Sequence, residues 1–130
     1  MTTAFTQEVT FKASLSDVFD AYINPEKHAA FTNDGAKITP KAGEPFSVHG
    51  GKIEGRFIDI QPNALIVQAW RPANWPENTY SIVKLEFSEA NGECTITLNH
   101  TGCPEGSAEH LNGGWHKMYW EPLASWLEQQ

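Results

Sequence analysis

Apolar and polar residues alternate from the start of the chain. Phe5, Val9 and Phe11 stand out within residues 4–13, interleaved with polar positions, which is the period of a half-buried strand. Ser14, Leu15, Ser16 and Asp17 then offer helix-capping side chains, and Val18, Phe19, Ala21, Tyr22 and Ile23 follow at helical spacing. Asn24-Pro25 closes that helix and opens another. A proline is well placed at a first helical position, where its missing N–H has no intrahelical partner to lose, and Phe31 lies near the second helix's end. The opening third therefore reads as one strand and two short helices.

The middle changes to short apolar runs separated by turn residues. Strands are expected over 36–40, 44–49, 52–60, 64–71, 79–88 and 93–101. Lys41-Ala42-Gly43, Gly50-Gly51, Gln61-Pro62-Asn63 and Asn91-Gly92 mark the turns between them. The connection 71–78 is longer and holds two prolines and Trp75, a kind of loop in which binding residues concentrate. A final helix is expected over 107–127. Leu111, Trp115, Met118 and Pro122, then Tyr119, Leu123, Trp126 and Leu127, recur at three- and four-residue steps. Pro122 cannot donate a backbone hydrogen bond and its ring crowds the Met118 carbonyl, which predicts a kink between Met118 and Pro122.

This element order implies an α+β, helix-grip architecture. A curved antiparallel sheet of about six or seven strands wraps the long C-terminal helix, and two short helices after the first strand close one end. The space between sheet and helix is either packed or left as a ligand cavity. Strand parity turns Val83, Leu85 and Phe87 inward, and likewise Ile96, Leu98 and His100. Residues 65–70 are apolar on both parities, so pattern alone does not orient Trp70. From the helix, Trp115, Met118 and Tyr119 aim at the same space. The expected cavity wall is thus Phe31, Phe57, Trp70, Trp75, Val83, Leu85, Leu98, His100, Trp115, Met118 and Tyr119.

Composition narrows the partners. The 130 residues make one domain's worth of chain, 1–130, with 9 Lys+Arg against 16 Asp+Glu and a net charge of −7. Such a surface repels nucleic-acid backbones and anionic membranes, so neither is expected as a partner. No run approaches the ~20 apolar residues of a membrane span, and the first residues lack the pattern of a secretory signal. Two cysteines make no disulfide framework, and the expected setting is the reducing cytoplasm.

Candidate chemistry is sparse. His100, inward and beside aromatic residues, could orient a ligand oxygen or move a proton, or could be an interior histidine with satisfied hydrogen bonds. His28, His49, His110 and His116 lack metal-ligand spacing, and neither a metal nor a cofactor is expected. Trp70, Trp75, Trp115, Trp120 and Trp126 could line a pocket for a flat ligand, anchor a partner, or simply pack. Trp120 falls off the helix's apolar face, where exposure would suggest an interface. Arg71 and Glu77 bracket the long loop and could form a rim ion pair or bind a ligand carboxylate, with a solvated rim as the default expectation. Gly50-Gly51 and Gly113-Gly114 do not fit a phosphate loop. The second pair reads as allowing close packing of the helix on the sheet. Cys94, expected outward, and Cys103, expected in a turn, have no basic neighbour to activate them. No serine-nucleophile elbow is present, and no catalytic residue is assigned.

Ala69-Trp70-Arg71, then Asn74-Trp75-Pro76-Glu77, then residues 81–87 form a pattern found elsewhere. With Val18-Phe19, Phe31-Thr32, residues 51–57 and Gly114-Trp115, it resembles the C-terminal domain of the activator of the 90-kDa heat-shock-protein ATPase, within the START-like superfamily. The resemblance spans nearly the whole chain. It implies a helix-grip fold with a cavity, and no catalytic motif to carry over. No segment of the sequence resembles the separate N-terminal domain by which the eukaryotic activator docks on its chaperone. The expected function is a non-catalytic binding module for a small apolar or aromatic ligand, with His100, Tyr119 and Arg71 orienting polar groups. A co-chaperone of the stress response that binds a heat-shock ATPase, and a cyclase- or hydrolase-type enzyme using His100, are the alternatives.

Overall fold

The computed structural model describes residues 2–130. Strand β1 (Thr2–Phe11) leads into helices α1 (Leu15–Ile23) and α2 (Pro25–Thr32). Strands β2 (Lys37–Ile38), β3 (Pro45–Val48), β4 (Ile53–Gln61), β5 (Leu65–Pro72), β6 (Ser81–Ala90) and β7 (Glu93–Pro104) follow, with a tight turn at His49–Gly51. Helical segments α3 (Ala108–Trp115) and α4 (Glu121–Glu128) are joined without a break by a π turn at His116–Trp120. One seven-stranded antiparallel sheet runs in the order β1-β7-β6-β5-β4-β3-β2. The helix-grip arrangement read from the sequence is present.

Local chemistry sets the early boundaries. The Ser14 hydroxyl accepts from the Asp17 N–H to cap α1, and the Asn24 side chain accepts from the Lys27 N–H to cap α2, with Pro25 at its first turn. Asn91 and Gly92, at φ 55° and 77°, form the two-residue hairpin between β6 and β7 that this dipeptide favours. Several strand ends differ from expectation because long-range pairing decides them. β7 extends to Pro104 by pairing with Thr2, and β1 stops at Phe11, opposite Cys94 near the start of β7. At Gly55 two backbones nearly touch. A Cβ there would lie 1.8 Å from the Ala69 carbonyl oxygen, so only glycine fits β4 against β5.

Pro122 acts where expected, but through a π turn. The Glu121 N–H reaches back five residues to the His116 carbonyl, which widens the helix ahead of the proline. The inserted residue rotates the following face by about 100°. Tyr119 and Trp120 are consequently both buried, while Met118 is 43% exposed. Trp120 therefore belongs to the core and not to an exposed interface, and Met118 points away from the packed interior. The simple three-four periodicity failed because it assumes an uninterrupted α-helical repeat.

Two polar anchors hold this helix in the grip of the sheet. Gln7 on β1 donates to the Asn112 carbonyl at 2.8 Å and to the Asn112 side chain, and accepts from Trp120 Nε1 at 2.7 Å. The second anchor is His100 on β7. Parity held for Val83, Leu85, Phe87, Ile96, Leu98 and His100, all buried. Cys94 corrects one reading, since it shares the parity of Ile96 and is fully buried. Cys103 is also buried and lies within β7, not in a turn. No helix among the described residues is long and apolar enough to cross a membrane.

Candidate functional site

The centre of the interface between helix and sheet is packed. Trp115 stacks on Trp70, Tyr119 and Trp120, with ring centroids 5.8, 4.7 and 5.2 Å away and interplanar angles of 24°, 29° and 20°. Beneath it, Trp115 Nε1 donates to His100 Nδ1 at 3.0 Å. An indole N–H can only donate, so Nδ1 is unprotonated and the His100 proton sits on Nε2. Nε2 then donates to Ser81 Oγ at 2.8 Å, and that hydroxyl donates to the Trp70 carbonyl at 2.9 Å. The relay is closed, and burial pushes His100 down to about 4, which keeps it neutral. His100 therefore joins helix to sheet, and neither ring nitrogen is free for a ligand.

An open pocket of about 660 Å³ lies to one side of this packed centre. Its walls come from α3 with the π turn, from the His49–Gly51 turn with Lys52 and Ile53, and from residues 70–75. Of the expected wall residues, Trp70, Trp75, Trp115, Met118 and Tyr119 line it. Phe31, Phe57, Val83, Leu85, Leu98 and His100 do not. They are buried in the core: the five strand residues because a curved sheet presents far more inward positions than one pocket can use, and Phe31 because α2 packs it against His28 and Tyr119.

Sequence reasoning missed His49, Lys52, Ile53, His110 and Gly114, all in the wall. His110 was legible, standing one helical turn before Gly114 on the face that carries Met118. Gly114 also reverses its own reading. A Cβ at Gly113 or Gly114 would meet nothing within 4 Å, so this pair does not serve close packing. At Gly114 the missing side chain widens the pocket, although helical glycine costs about 1 kcal/mol relative to alanine.

The long loop is held firmly at the pocket's edge. Arg71 is buried and donates to the carbonyls of Thr79, Trp75 and Pro76 at 3.2, 2.5 and 3.3 Å, and to Glu54 at 2.6 Å. Its ion pair is thus with Glu54 and not with Glu77, because Glu54 stands directly across from it in the β4–β5 register. Arg71 does not line the pocket; it fixes the segment that carries Trp75. The Ala73 N–H also donates to the Lys52 carbonyl at 2.8 Å, tying the loop to the opposite wall.

Behind the wall lies a buried polar cluster. Tyr22 donates to Gln68 Oε1 at 2.8 Å, and Tyr119 packs against Tyr22, His28 and His49. His28 Nδ1 bonds the Tyr22 carbonyl at 2.7 Å, an oxygen that can only accept, so its proton is on Nδ1. Burial pushes His28 down to about 4 and raises both tyrosine hydroxyls above their ordinary range. His28 Nε2, both ring nitrogens of His49 and Trp70 Nε1 are buried without a hydrogen-bond partner. Native interiors rarely leave such groups unpaired. Among the described residues no group of three or more His, Cys, Asp or Glu side chains could hold a metal ion.

The family described as "Activator of Hsp90 ATPase homolog 1-like protein" matches residues 12–128. This chain belongs to that family. The human "Activator of 90 kDa heat shock protein ATPase homolog 1" is 30% identical over 122 residues, covering 94% of this chain and 36% of the human protein. The Dictyostelium discoideum "Activator of 90 kDa heat shock protein ATPase homolog" is 32% identical over 108 residues, 82% of this chain and 28% of its own length. The chain thus spans about a third of the length of these curated relatives. The crystal structure of an HSP90 activator from Plasmodium falciparum superposes with a TM-score of 0.90 at 24% identity, covering 96% of each chain. A Rhizobium loti protein, Mll3558, gives 0.80 at 22% identity over 96% of each chain. These two superpositions establish the shared fold. In this member of the activator-homolog family, the Trp70-Arg71 and Trp75-Pro76 pairs that carry the resemblance have separable tasks: the indoles line the pocket, and Arg71 and the Pro76 carbonyl hold the loop.

Proposed function

We propose that this chain is a binding module that takes a small, largely flat apolar molecule into the pocket beside α3. The observation that carries this reading is the pocket itself. Its volume of about 660 Å³ falls within the ~300–1,000 Å³ of small-molecule sites, and indoles and a glycine shape its wall. Aromatic side chains offer large apolar contact at little conformational cost, while a rigidly held loop spares ordering entropy on binding.

Thermal unfolding with and without a hydrophobic ligand panel tests the reading. A compound present at 100 times its Kd adds about 2.7 kcal/mol to stability. Gly114→Leu is expected to project an isobutyl group into the pocket and obstruct it. It should abolish that gain while raising the stability of the unliganded protein, since leucine favours the helix over glycine. A panel that never shifts the transition, or shifts it equally in the Gly114→Leu variant, would remove this site.

A second reading is favoured by the kinship with the human activator: the chain binds a 90-kDa heat-shock chaperone and stimulates its ATPase. Chaperone ATP turnover measured with and without this chain decides it. Stimulation supports the reading and an unchanged rate ends it. The enzyme reading built on His100 loses its residue, because that imidazole is fully buried and doubly bonded.

A further inference from the structure

We propose that the pocket recognises an aromatic carboxylate, with the acid group held near Lys52 and His49 and the ring against the indoles. This rests on the binding-module reading and names its ligand class. Charge is the first argument. The protein carries 16 acidic residues and a net charge of −7, yet among the described residues no Asp or Glu lines the pocket. Among the described residues Lys52 is the one lysine or arginine in its wall, and His49, His110 and Tyr119 are the other ionisable side chains there. An anionic group in the pocket would meet the Lys52 ammonium, while the Asp34 carboxylate, outside the wall, acts on His49 with the opposite sign.

Hydrogen bonding is the second argument. Trp70 is 4% exposed and its Nε1–H can only donate, so the group that would satisfy it is an acceptor. His49 is 3% exposed and neither ring nitrogen has a partner. A carboxylate carries two acceptor oxygens and no donor, so it complements the Lys52 ammonium in the pocket wall and offers acceptors of the kind that the enclosed Trp70 and His49 N–H groups lack.

Backbone geometry is the third. His49 sits at φ 52°, in the left-handed region that non-glycine residues seldom occupy, and Gly50 and Gly51 continue it at 65° and 92°. The Gly50 N–H donates to the Gly35 carbonyl at 2.9 Å and the Lys52 N–H to the His49 carbonyl at 3.2 Å. These bonds hold the imidazole in the wall and place the lysine three residues on. Asp34, whose charge also acts on His49, accepts from the Gly35 N–H and stands outside the pocket wall. His28 and Tyr119, the other titratable groups packed on His49, are neutral. Stacked Trp70 and Trp115, with Trp75 edge-on to Trp70 at 6.2 Å, favour a flat ring on the ligand.

The test uses biphenyl-4-acetate and its primary amide, which share a shape and differ in charge. Calorimetric titration of the full chain should show the acid binding at least tenfold more tightly than the amide. Lys52→Met changes an exposed side chain and is expected to shrink that preference to under threefold with an unaltered melting temperature. His49→Asn tolerates the left-handed backbone and should weaken the acid at least fivefold, and the amide less. Equal affinity for acid and amide in the unsubstituted chain would overturn the carboxylate assignment and leave the binding module standing. An acid preference that survives both substitutions would overturn the roles of Lys52 and His49. No binding of either compound at millimolar concentration, together with a silent ligand panel, would overturn both proposals.

Discussion

Acidification from pH 7 to pH 4 is expected to remove about 6 kcal/mol of folding stability, shared between His28 and His100. Both imidazoles have their folded pKa pushed down to about 4 by burial, against an ordinary value of 6.5. Between those values the unfolded chain takes up a proton at each histidine and the folded chain does not. The contribution is therefore whole above pH 6.5, drains away as pH falls toward 4, and levels off below. Each group contributes about 3 kcal/mol across that window. His49 shifts in the same direction, also chiefly through burial, and deepens the loss. Urea unfolding at pH 7, 6, 5 and 4 reads the profile. His100→Gln can still accept from Trp115 and donate to Ser81 but does not titrate, so it should remove about half of the slope. A stability that stays level from pH 7 to 4.5 would contradict neutral, buried imidazoles.

Trp115→Ala carries the second large expectation, a loss of about 4–5 kcal/mol. The indole touches three stacked aromatic rings and provides the N–H that satisfies His100, so its removal opens a cavity and orphans a buried acceptor. Trp115→Phe separates the two effects. It retains most of the ring packing and should lose about 2 kcal/mol, chiefly through the unpaired His100 Nδ1. Denaturant midpoints measure both, and a cycle with His100→Leu should recover part of the Phe variant's loss, because the orphaned atom is then gone. A Trp115→Ala loss under 2 kcal/mol would mean that this indole is not the hub joining helix and sheet.

The residues read correctly and those misread differ in one respect, the distance along the chain over which their fate is decided. Ser14, Asn24 and Pro25 act on atoms a few residues away, so the start of each short helix was legible. Parity within a strand is equally local and oriented His100 correctly. Trp120 was misplaced because Pro122 is relieved by a widened turn and not by a bend in a regular helix, which moves a whole face. Arg71 was paired with Glu77 on proximity in sequence, whereas the β4–β5 register brings Glu54 opposite it. His49 was judged only as a metal ligand. Its signal was the following Gly50-Gly51, two residues that let the chain hold a left-handed turn.

By itself the sequence determined the kinds of element, their order, their caps and hairpins, and hence a curved antiparallel sheet closed by one amphipathic helix. Those follow from dihedral preference and side-chain period, which act within a few residues. Tertiary structure alone decided that the centre is packed and the pocket lies beside it. That outcome depends on how His49, Trp70, Trp75, Gly114 and Tyr119, drawn from three separate stretches of chain, meet in space. Sheet register and the π turn set those meetings, and the missing side chain of Gly114 adds to the room beside the packed indoles.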